Sequence, residues 1–287
     1  MKKLLFICMA LCIVFMGCEK EGVYNPGKKI KRVSEQVSSV KLTLSEWTWE
    51  KNLLTKIQNY SGTIPSIEER FVYEKNRISK VNNSNGSYWI ITYQNNLYDK
   101  IEFFAPNGQT LTSIRVTYEN KKVSKLDYTE YEYGKSMEIL SNGSFISTLL
   151  SPQTIRGLQM LHNKSKDTKI TNYSITYTYN GDNIKEEVLT ANDEEYILKV
   201  TYKYEKYDTN LNPMYHSFLT ITDSKNNPLE VIVDFMVSLI DLDETIYDRS
   251  TITYDYYYDG KFPKEIVSLE KDSDGVIYKN QTFYDYQ

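Results

Sequence analysis

Histidine, a frequent general acid or base and metal ligand, occurs only twice in the chain, as His162 and His216. The two residues lie far apart in the sequence and form no His-x-x-x-His pair, which argues against a zinc site. A serine hydrolase would have to use one of them, and no nucleophile-elbow motif is present. We therefore interpret both histidines as structural or surface residues.

The acidic residues give no sharper indication of catalysis. A glycoside hydrolase needs two carboxylates that flank the scissile bond, but the chain has 38 Asp and Glu residues, so any choice of two is arbitrary. The segment DSDG at 272–275 has two carboxylates, yet it lacks the sixth-position glycine and the closing glutamate of an EF-hand loop. A hairpin turn is the better interpretation. The sequence shows no catalytic constellation, metal site or cofactor motif, and we expect the protein not to be an enzyme.

Aromatic side chains are the best candidates for ligand binding, because flat rings stack on sugars and on partner proteins. The chain has 26 tyrosines, and alternation along strands groups aromatic residues into rows, which we expect to form mostly the core face of a curved sheet. These rows are Trp47 with Trp49, Tyr173 with Tyr177 and Tyr179, and Tyr254 with Tyr256 and Tyr258. Our candidate ligand-binding residues are Trp47, Trp49, Trp89 and Tyr257. Of these, Trp47, Trp89 and Tyr257 break the rows or lie near loops, and we expect them to be exposed.

A repeated phrase determines the predicted architecture. The segments WTWEKNLLTKI (47–57), FVYEKNRISKV (71–81) and ITYQNNLYDKI (91–101) share an aromatic anchor, a polar patch, and a lysine followed by an apolar residue. The anchors are Trp49, Tyr73, Tyr93 and Tyr118, with looser copies at Tyr179 and Tyr258. The lysines, seven residues after the first four anchors, are Lys56, Lys80, Lys100 and Lys125.

Each phrase is typical of a β-hairpin, because Asn, Asp and Gly gather where a tight turn needs positive φ and alternation resumes after it. Further turns are predicted between the units, at 84–86, 106–108, 141–143, 192–194 and 272–275. Since a single hairpin cannot bury its apolar face, the units must pack side by side. We predict a mostly β fold for residues 28–287, an antiparallel up-and-down meander forming a curved sheet or a barrel.

Two segments depart from the hairpin pattern. Residues 151–162 (SPQTIRGLQMLH) predict a short helix, with Ser151 as its N-cap and Pro152 in its first turn. Residues 227–244 contain a β-branched run, but Glu230, Asp234, Ser238 and Asp241 recur at helical spacing. We interpret 227–244 as a second helix, with a pair of strands as the alternative.

The first residues indicate export. Lys2 and Lys3 precede an apolar stretch from Leu4 to Met16, which is short for a membrane-spanning helix and is typical of a signal peptide. The segment VFMGC (14–18) resembles the bacterial lipobox, and the resemblance implies cleavage before Cys18 and diacylation of its sulfur. Cys8 and Cys12 leave with residues 1–17, so Cys18 is the single cysteine of the mature chain. Residues 18–27 are a polar tether, and the EKEG after Cys18 resembles the export tag of surface lipoproteins in Bacteroidetes.

The chain as a whole also resembles known families. Its lipobox, its Y-x-Y-x-x-N hairpins and the segment YEKYDTNLNPMY (204–215) resemble a family of uncharacterised Bacteroidetes lipoproteins whose domain is described as porin-like. The hairpins also resemble, more weakly, the Tyr-Asp repeats of shell-forming bacterial proteins. These resemblances imply a β-barrel-like fold and no particular activity. Charged residues recur on nearly every hairpin, which favours a soluble barrel tethered by lipid over a transmembrane one.

The mature chain carries a net charge of about −6 once Lys2 and Lys3 are removed, which argues against nucleic-acid binding. Three functions remain open. The first is an outer-membrane lipoprotein, facing the surface or the periplasm, that binds a glycan, a peptide or an envelope protein through aromatic residues. The second is a glycan hydrolase that uses two carboxylates. The third is a periplasmic carrier whose curved sheet holds an apolar ligand.

Overall fold

The computed structural model describes residues 28–131, 145–164, 172–192, 196–212, 224–239 and 244–287. Within these residues sixteen antiparallel strands pair in chain order, and β16 pairs with β1 to close a barrel. The strands are β1 Ile30–Val37, β2 Val40–Glu50, β3 Leu53–Ser61, β4 Ile64–Glu74, β5 Arg77–Asn83, β6 Tyr88–Gln94, β7 Leu97–Phe104, β8 Thr110–Glu119, β9 Lys122–Glu130, β10 Asn172–Asn180, β11 Asn183–Asn192, β12 Tyr196–Leu211, β13 Asn226–Leu239, β14 Glu244–Asp259, β15 Phe262–Lys271 and β16 Ile277–Tyr286. The predicted up-and-down meander is confirmed, and of the two forms proposed for it the barrel is the correct one.

Several predictions fall outside the described residues. They are the signal peptide, the lipidated Cys18, the tether 18–27, the turn at 141–143, residues 193 and 194 of the turn at 192–194, Asp241, His216 and the side chain of His162. Among the described helices none is long and apolar enough to cross a membrane.

The repeated phrase forms the same hairpin each time. In the β6–β7 hairpin the turn residues Asn95 and Asn96 have φ of 50° and 70°, and in the β4–β5 hairpin Lys75 and Asn76 have φ of 51° and 65°. The register of each hairpin shifts next to its anchor, as between Val72 and Tyr73. A β-bulge at this point keeps the anchor directed into the barrel while the turn stays tight.

The aromatic anchors tie neighbouring hairpins together. Each of five aromatic residues near the tight turns donates a hydrogen bond from its side chain to a main-chain carbonyl of a nearby strand. The bonds run from Trp49 to Ile30 (2.7 Å), Tyr73 to Leu54 (2.7 Å), Tyr93 to Ile78 (3.0 Å), Tyr207 to Ile184 (2.5 Å) and Tyr286 to Pro263 (2.7 Å). Three anchors of the phrase, Trp49, Tyr73 and Tyr93, thus attach their hairpins to the preceding strand, which gives the repeat a physical reason.

The two faces of the barrel wall differ sharply in chemistry. Inward residues include the apolar positions that follow the repeated lysines, Ile57, Val81, Ile101 and Leu126, all fully buried as the phrase predicted. The outer face carries ion pairs between neighbouring strands. They include Arg32 with Glu46 (2.6 Å), Lys56 with Glu68 (3.3 Å) and Lys203 with Asp234 (2.9 Å).

Two helices fill part of the interior, which a sixteen-stranded barrel is wide enough to hold. They are α1 (Phe145–Leu149) and α2 (Pro152–Lys164), and both lie in the connection between β9 and β10. Helix α2 packs closely on β11 and β12 at Gly157. A Cβ added to Gly157 would lie 2.6 Å from Leu189 Cδ2 and 3.2 Å from Tyr202 Cε2, so the close approach needs glycine. The predicted helix over 151–162 is confirmed, and the Ser151 hydroxyl caps it by accepting the Thr154 N–H at 2.9 Å.

The second predicted helix, over 227–244, is wrong. Residues Asn226–Leu239 form β13, paired with β12 and β14. A spacing of four residues repeats on one face of a strand as well as on one face of a helix, so Glu230, Asp234 and Ser238 all face outward. Asp234 there pairs with Lys203 and Arg249, while Val231 and Val233 are buried inside. The β-branched run was the better guide.

Candidate ligand-binding site

A cavity of about 490 Å³ lies inside the barrel between the helices and one part of the wall. Its wall is formed by β1, β2 and β11–β16, and its other side by the end of α1 and by the face of α2 that carries Gln153, Arg156 and Gln159. Cavities of this size accept drug-sized ligands. At the inward positions of β15 and β16 the sequence places small polar side chains such as Ser268 and Thr282, which do not fill the space up to α2.

An aromatic row on β14 forms one wall of the cavity. The rings of Tyr254 and Tyr256 stack at 6.2 Å, and those of Tyr256 and Tyr258 at 6.0 Å. Gln153 on α2 donates to the Tyr254 hydroxyl at 2.9 Å, and burial raises the pKa of that hydroxyl to about 12. Tyr254 is thus fixed against the helix, while Tyr256 presents an aromatic face and a hydroxyl to the cavity.

Two tyrosine hydroxyls in this wall have no hydrogen-bond partner in the part of the chain that the structure describes. Among the described residues, neither Tyr256 nor Tyr284 makes a side-chain hydrogen bond, although both line the cavity. Burial raises the pKa of both hydroxyls, so they stay protonated and remain able to donate. Partly buried hydroxyls without partners are unfavourable, and a polar group of a ligand would satisfy them.

The cavity continues past a small polar group to an open mouth. Glu35 on β1 lies opposite Thr282 on β16, and Ser268 on β15 lies opposite Asn280. All four line the cavity, and within the described chain none of their side chains has a hydrogen bond or ion pair. Directly opposed residues in a sheet have Cβ atoms about 5 Å apart, so these side chains form one group.

The mouth, at the end of the barrel next to this polar group, carries apolar side chains together with the inward Asp248 of β14. Alternation from Glu35, Asn280 and the inward residues of β13 directs Val37, Val40, Ile246 and Tyr278 toward the barrel axis. These four side chains are nevertheless between 49% and 58% exposed. Inward residues that remain exposed indicate that, among the described residues, nothing covers this end of the barrel beside β1, β2, β14 and β16.

The charges of the cavity wall do not cancel. Arg156 on α2 forms an ion pair with Glu270 on β15, and the Ser250 hydroxyl donates to the same carboxylate at 2.8 Å. The positive charge of the Arg156 guanidinium is therefore neutralised by Glu270. Glu35 is the remaining charged residue of the lining and has no counter-ion among the described residues, so the cavity has a local excess of one negative charge.

Two of the buried carboxylates, Glu69 and Glu187, hold the helices. Glu69 accepts the Phe145 main-chain N–H, at 2.9 and 2.8 Å from its two oxygens, and the Asn59 amide at 3.0 Å. Burial raises the pKa of the Glu69 carboxyl to about 7, against the opposing effect of these hydrogen bonds. Glu69 thus attaches the first turn of α1 to β4.

Glu187 performs the same task for α2. It accepts hydrogen bonds from the hydroxyls of Ser151 (2.9 Å), Thr154 (2.6 Å) and Tyr204. Burial is the largest effect on its carboxyl and raises the pKa. These bonds occupy the carboxylates of Glu69 and Glu187 at the helix N-termini, so neither is placed as an acid or base facing the cavity.

The structure separates the four sequence-predicted candidates. Trp47 is 5% exposed and lines the cavity, with its Nε1–H donating to Ser45 Oγ at 2.9 Å. Trp49 stacks beside it at 6.1 Å and is tied to the Ile30 carbonyl. Trp89 is 1% exposed and packs on Phe103 and Phe145 in the core. Tyr257 is 51% exposed on the outer face of β14.

The expectation that Trp47 and Trp89 are exposed is therefore wrong, whereas that of exposure for Tyr257 is confirmed. Both tryptophans occupy inward positions, and their proximity to turns does not bring them to the surface because α1 and the opposing strands cover them. Sequence reasoning did not find Glu35, Ser268, Asn280 or Thr282. The one signal that could have pointed to them is the occurrence of polar residues at inward positions of strands. Recognising those positions requires the register between β16 and β1.

Comparison with known proteins shows the fold and nothing narrower. The chain is similar to a porin-like protein from Bacteroides uniformis whose crystal structure has been solved, with a TM-score of 0.54 and 11% sequence identity over 93% of this chain and 100% of that one. No protein-family model matches the chain, and a search of curated proteins finds no relative. The porin-like fold that the sequence resemblance implied is confirmed, and membership of the lipoprotein family stays a prediction.

Proposed function

We propose that this protein is a lipid-anchored binding protein of the bacterial cell envelope that holds a small molecule inside its barrel. The single observation that supports this best is the cavity between α2 and strands β14–β16. It is lined by Trp47 and by the hydroxyls of Tyr256 and Tyr284, which have no partner among the described residues. Aromatic faces give contact area at low entropic cost, and the two hydroxyls give orientation. The aromatic surface expected from the sequence is thus proposed to act from the inside of the barrel.

The chemistry of the outer wall supports the proposal that the barrel lies in water beside the membrane. Membrane-spanning barrels carry an apolar outer band and a polar interior. This barrel has the opposite arrangement, with ion pairs such as Lys100 with Glu102 and Lys125 with Asp127 across its outer face and an apolar core within. Buried in hydrocarbon, each such charge would cost several kcal/mol. Lipidation of Cys18 would then be the means of attachment.

The binding proposal is tested with N-phenyl-1-naphthylamine, a neutral dye that fluoresces in apolar sites. The protein is the mature chain with Cys18→Ser, which avoids detergent. We expect saturable binding that is abolished in Ser268→Trp, because the new indole fills the cavity from β15. Val267→Trp, whose side chain lies on the outer face one residue away, is the matched control and should bind as the parent does. Equal binding by the two variants would refute the cavity as the site.

The anchoring proposal has its own test. Cells fed a labelled fatty acid should transfer it to the wild-type protein and not to Cys18→Ser, and an unlabelled wild type would refute lipidation. A non-permeant protease added to intact cells then decides the side. Digestion places the barrel at the cell surface, and protection until the outer membrane is broken places it in the periplasm.

A carboxylate-dependent glycan hydrolase is the weaker alternative. The described carboxyls with the clearest upward pKa shifts, Glu69 and Glu187, are bound to helix N-termini. Hydrolysis also needs a second carboxylate at a defined separation from the first, facing the same sugar. Glu35 and Glu270 both lie on the inner wall, but Glu270 is paired with Arg156.

A further inference from the structure

We propose that the molecule bound in the cavity is an organic cation, an amine or ammonium attached to an apolar body, and that Glu35 is the residue that selects it. This inference rests on the proposed function, because it assigns the ligand class of the same cavity. The observation behind it is the position of the Glu35 carboxylate beside Thr282, Asn280 and Ser268, whose side chains have no partner within the described chain.

The first step is the charge of the lining. Arg156 is neutralised by Glu270, which also accepts the Ser250 hydroxyl. Glu35 has no such partner within the described chain, and it faces the cavity rather than the outer wall. Outward carboxylates such as Glu46 and Glu68 have cations beside them. A cationic ligand would supply the charge that Glu35 lacks, whereas an anion would be repelled by it.

The second step is the set of neighbours around Glu35. Thr282 lies opposite it on β16, and Asn280 and Ser268 lie one inward position farther along. Their oxygens can accept the N–H groups of an ammonium that the carboxylate does not occupy. An alkylated ammonium would instead use ring faces, and the inward tyrosines of β16, Tyr278 and Tyr284, lie on either side of this group.

The third step is the apolar surface that would hold the rest of the ligand. Deeper in the cavity lies Trp47, and Ile266 lies at the level of Thr282 with Tyr256 opposite it on β14. Toward the mouth lie Val37 and Tyr278. The polar group is thus flanked by apolar surface on both sides, which fits a molecule with one charged end and a flat or aliphatic body and does not fit a uniformly hydroxylated sugar.

The experiment compares three molecules with one indole body and different side-chain ends. Tryptamine is cationic, tryptophol is neutral and indole-3-acetate is anionic, and each is titrated against bound N-phenyl-1-naphthylamine. We expect tryptamine to displace the dye at about tenfold lower concentration than tryptophol, and indole-3-acetate to be the weakest. Glu35→Gln should bring tryptamine and tryptophol to the same value while dye binding is retained.

The matched control is Asp255→Asn, which removes one negative charge from the outer face of β14. It should keep the preference for tryptamine, because an exposed charge on the far side of the wall is screened. Failure of the two proposals is distinguishable. A protein that does not bind the dye refutes the cavity as a binding site. A protein that binds the dye but releases it equally to all three indoles, or keeps its preference in Glu35→Gln, refutes the assignment of an organic cation.

Discussion

The main-chain N–H of Phe145 lies 2.9 and 2.8 Å from the two carboxylate oxygens of Glu69. A wall residue of β4 therefore holds the first turn of α1 inside the barrel. Both ends of this contact are fully buried. Its strength must depend on pH, since the carboxylate has been removed from water.

Stability should rise as the pH falls from about 7 to about 4.5. Burial raises the pKa of Glu69 to about 7 from the 4.5 of an exposed glutamate, so the unfolded chain ionises first as pH increases. Above the folded pKa this costs on the order of 3 kcal/mol, and below pH 4.5 the cost is absent. Glu187, whose pKa burial also raises, acts in the same direction.

The measurement is the urea midpoint of the wild type and of Glu69→Gln between pH 4.5 and pH 8. We expect a clear slope for the wild type and a reduced slope for Glu69→Gln, because the amide does not titrate. Outer carboxylates such as Asp234, whose pKa Arg249 lowers, lose their contribution only below this range. An unchanged slope in Glu69→Gln would contradict the assignment.

Tyr73→Phe should lower the free energy of unfolding by about 1 kcal/mol, because it removes one hydrogen bond and leaves the Leu54 carbonyl without its donor. Tyr73→Ala should cost about 3–5 kcal/mol, since the buried ring is lost as well. Tyr257→Phe, on the outer face, is the control and should change stability by less than about 0.5 kcal/mol. Chemical denaturation of the three variants tests whether the anchor hydroxyls attach the hairpins. Equal losses of stability in Tyr73→Phe and Tyr257→Phe would exclude this role.

The turn of the β6–β7 hairpin offers a test of backbone conformation. Asn96 has φ of 70°, in the left-handed region of backbone conformation. This conformation costs most residues other than glycine roughly 1–2 kcal/mol, and Asn and Asp adopt it more readily. Asn96→Ala should therefore destabilise the protein by about 1 kcal/mol, whereas Asn96→Gly should be neutral or stabilising. Thermal melts of the pair decide it. An equal loss of stability in both variants would indicate that a side-chain contact of Asn96 matters and that its positive φ does not.

The hairpins were predictable because each repeats a local rule. Eleven consecutive residues contain the anchor, the turn and the buried position after the turn. Asn95 and Asn96 alone predict a turn. Strand β13 was missed because Glu230 and Asp234, four residues apart, fit one face of a helix and one face of a strand equally well. Its pairing with Lys203 on β12 and Arg249 on β14 excludes the helix, and that pairing is not local.

The candidate site was less predictable than the fold for the same reason. Glu35 and Thr282 are 247 positions apart in the chain and become neighbours only when β16 closes on β1. Glu187 is one of 38 acidic residues, and its role follows from Ser151 on a helix inserted between distant strands. Aromatic composition indicated a binding surface, yet the choice between inside and outside depended on closure of the barrel.

Trp47 and Trp89 provide the last prediction, because they are equally buried but differ in what they touch. Trp47 lines the cavity, whereas Trp89 packs between Phe103 and Phe145. Trp47→Phe should weaken binding of N-phenyl-1-naphthylamine by roughly three- to tenfold, which corresponds to about 1 kcal/mol of lost ring contact. Trp89→Phe should lower stability without changing the dissociation constant of the dye.

Fluorescence titration of both variants, with urea denaturation beside it, separates the two effects. Trp49→Phe is a further control on the same strand, since Trp49 bonds to Ile30 near the tight turn. If Trp89→Phe weakened dye binding as much as Trp47→Phe did, the loss would follow from a loosened core, and the cavity wall at Trp47 would not be the contact surface. If Trp47→Phe alone weakened binding, the dye would be located between β2 and α2.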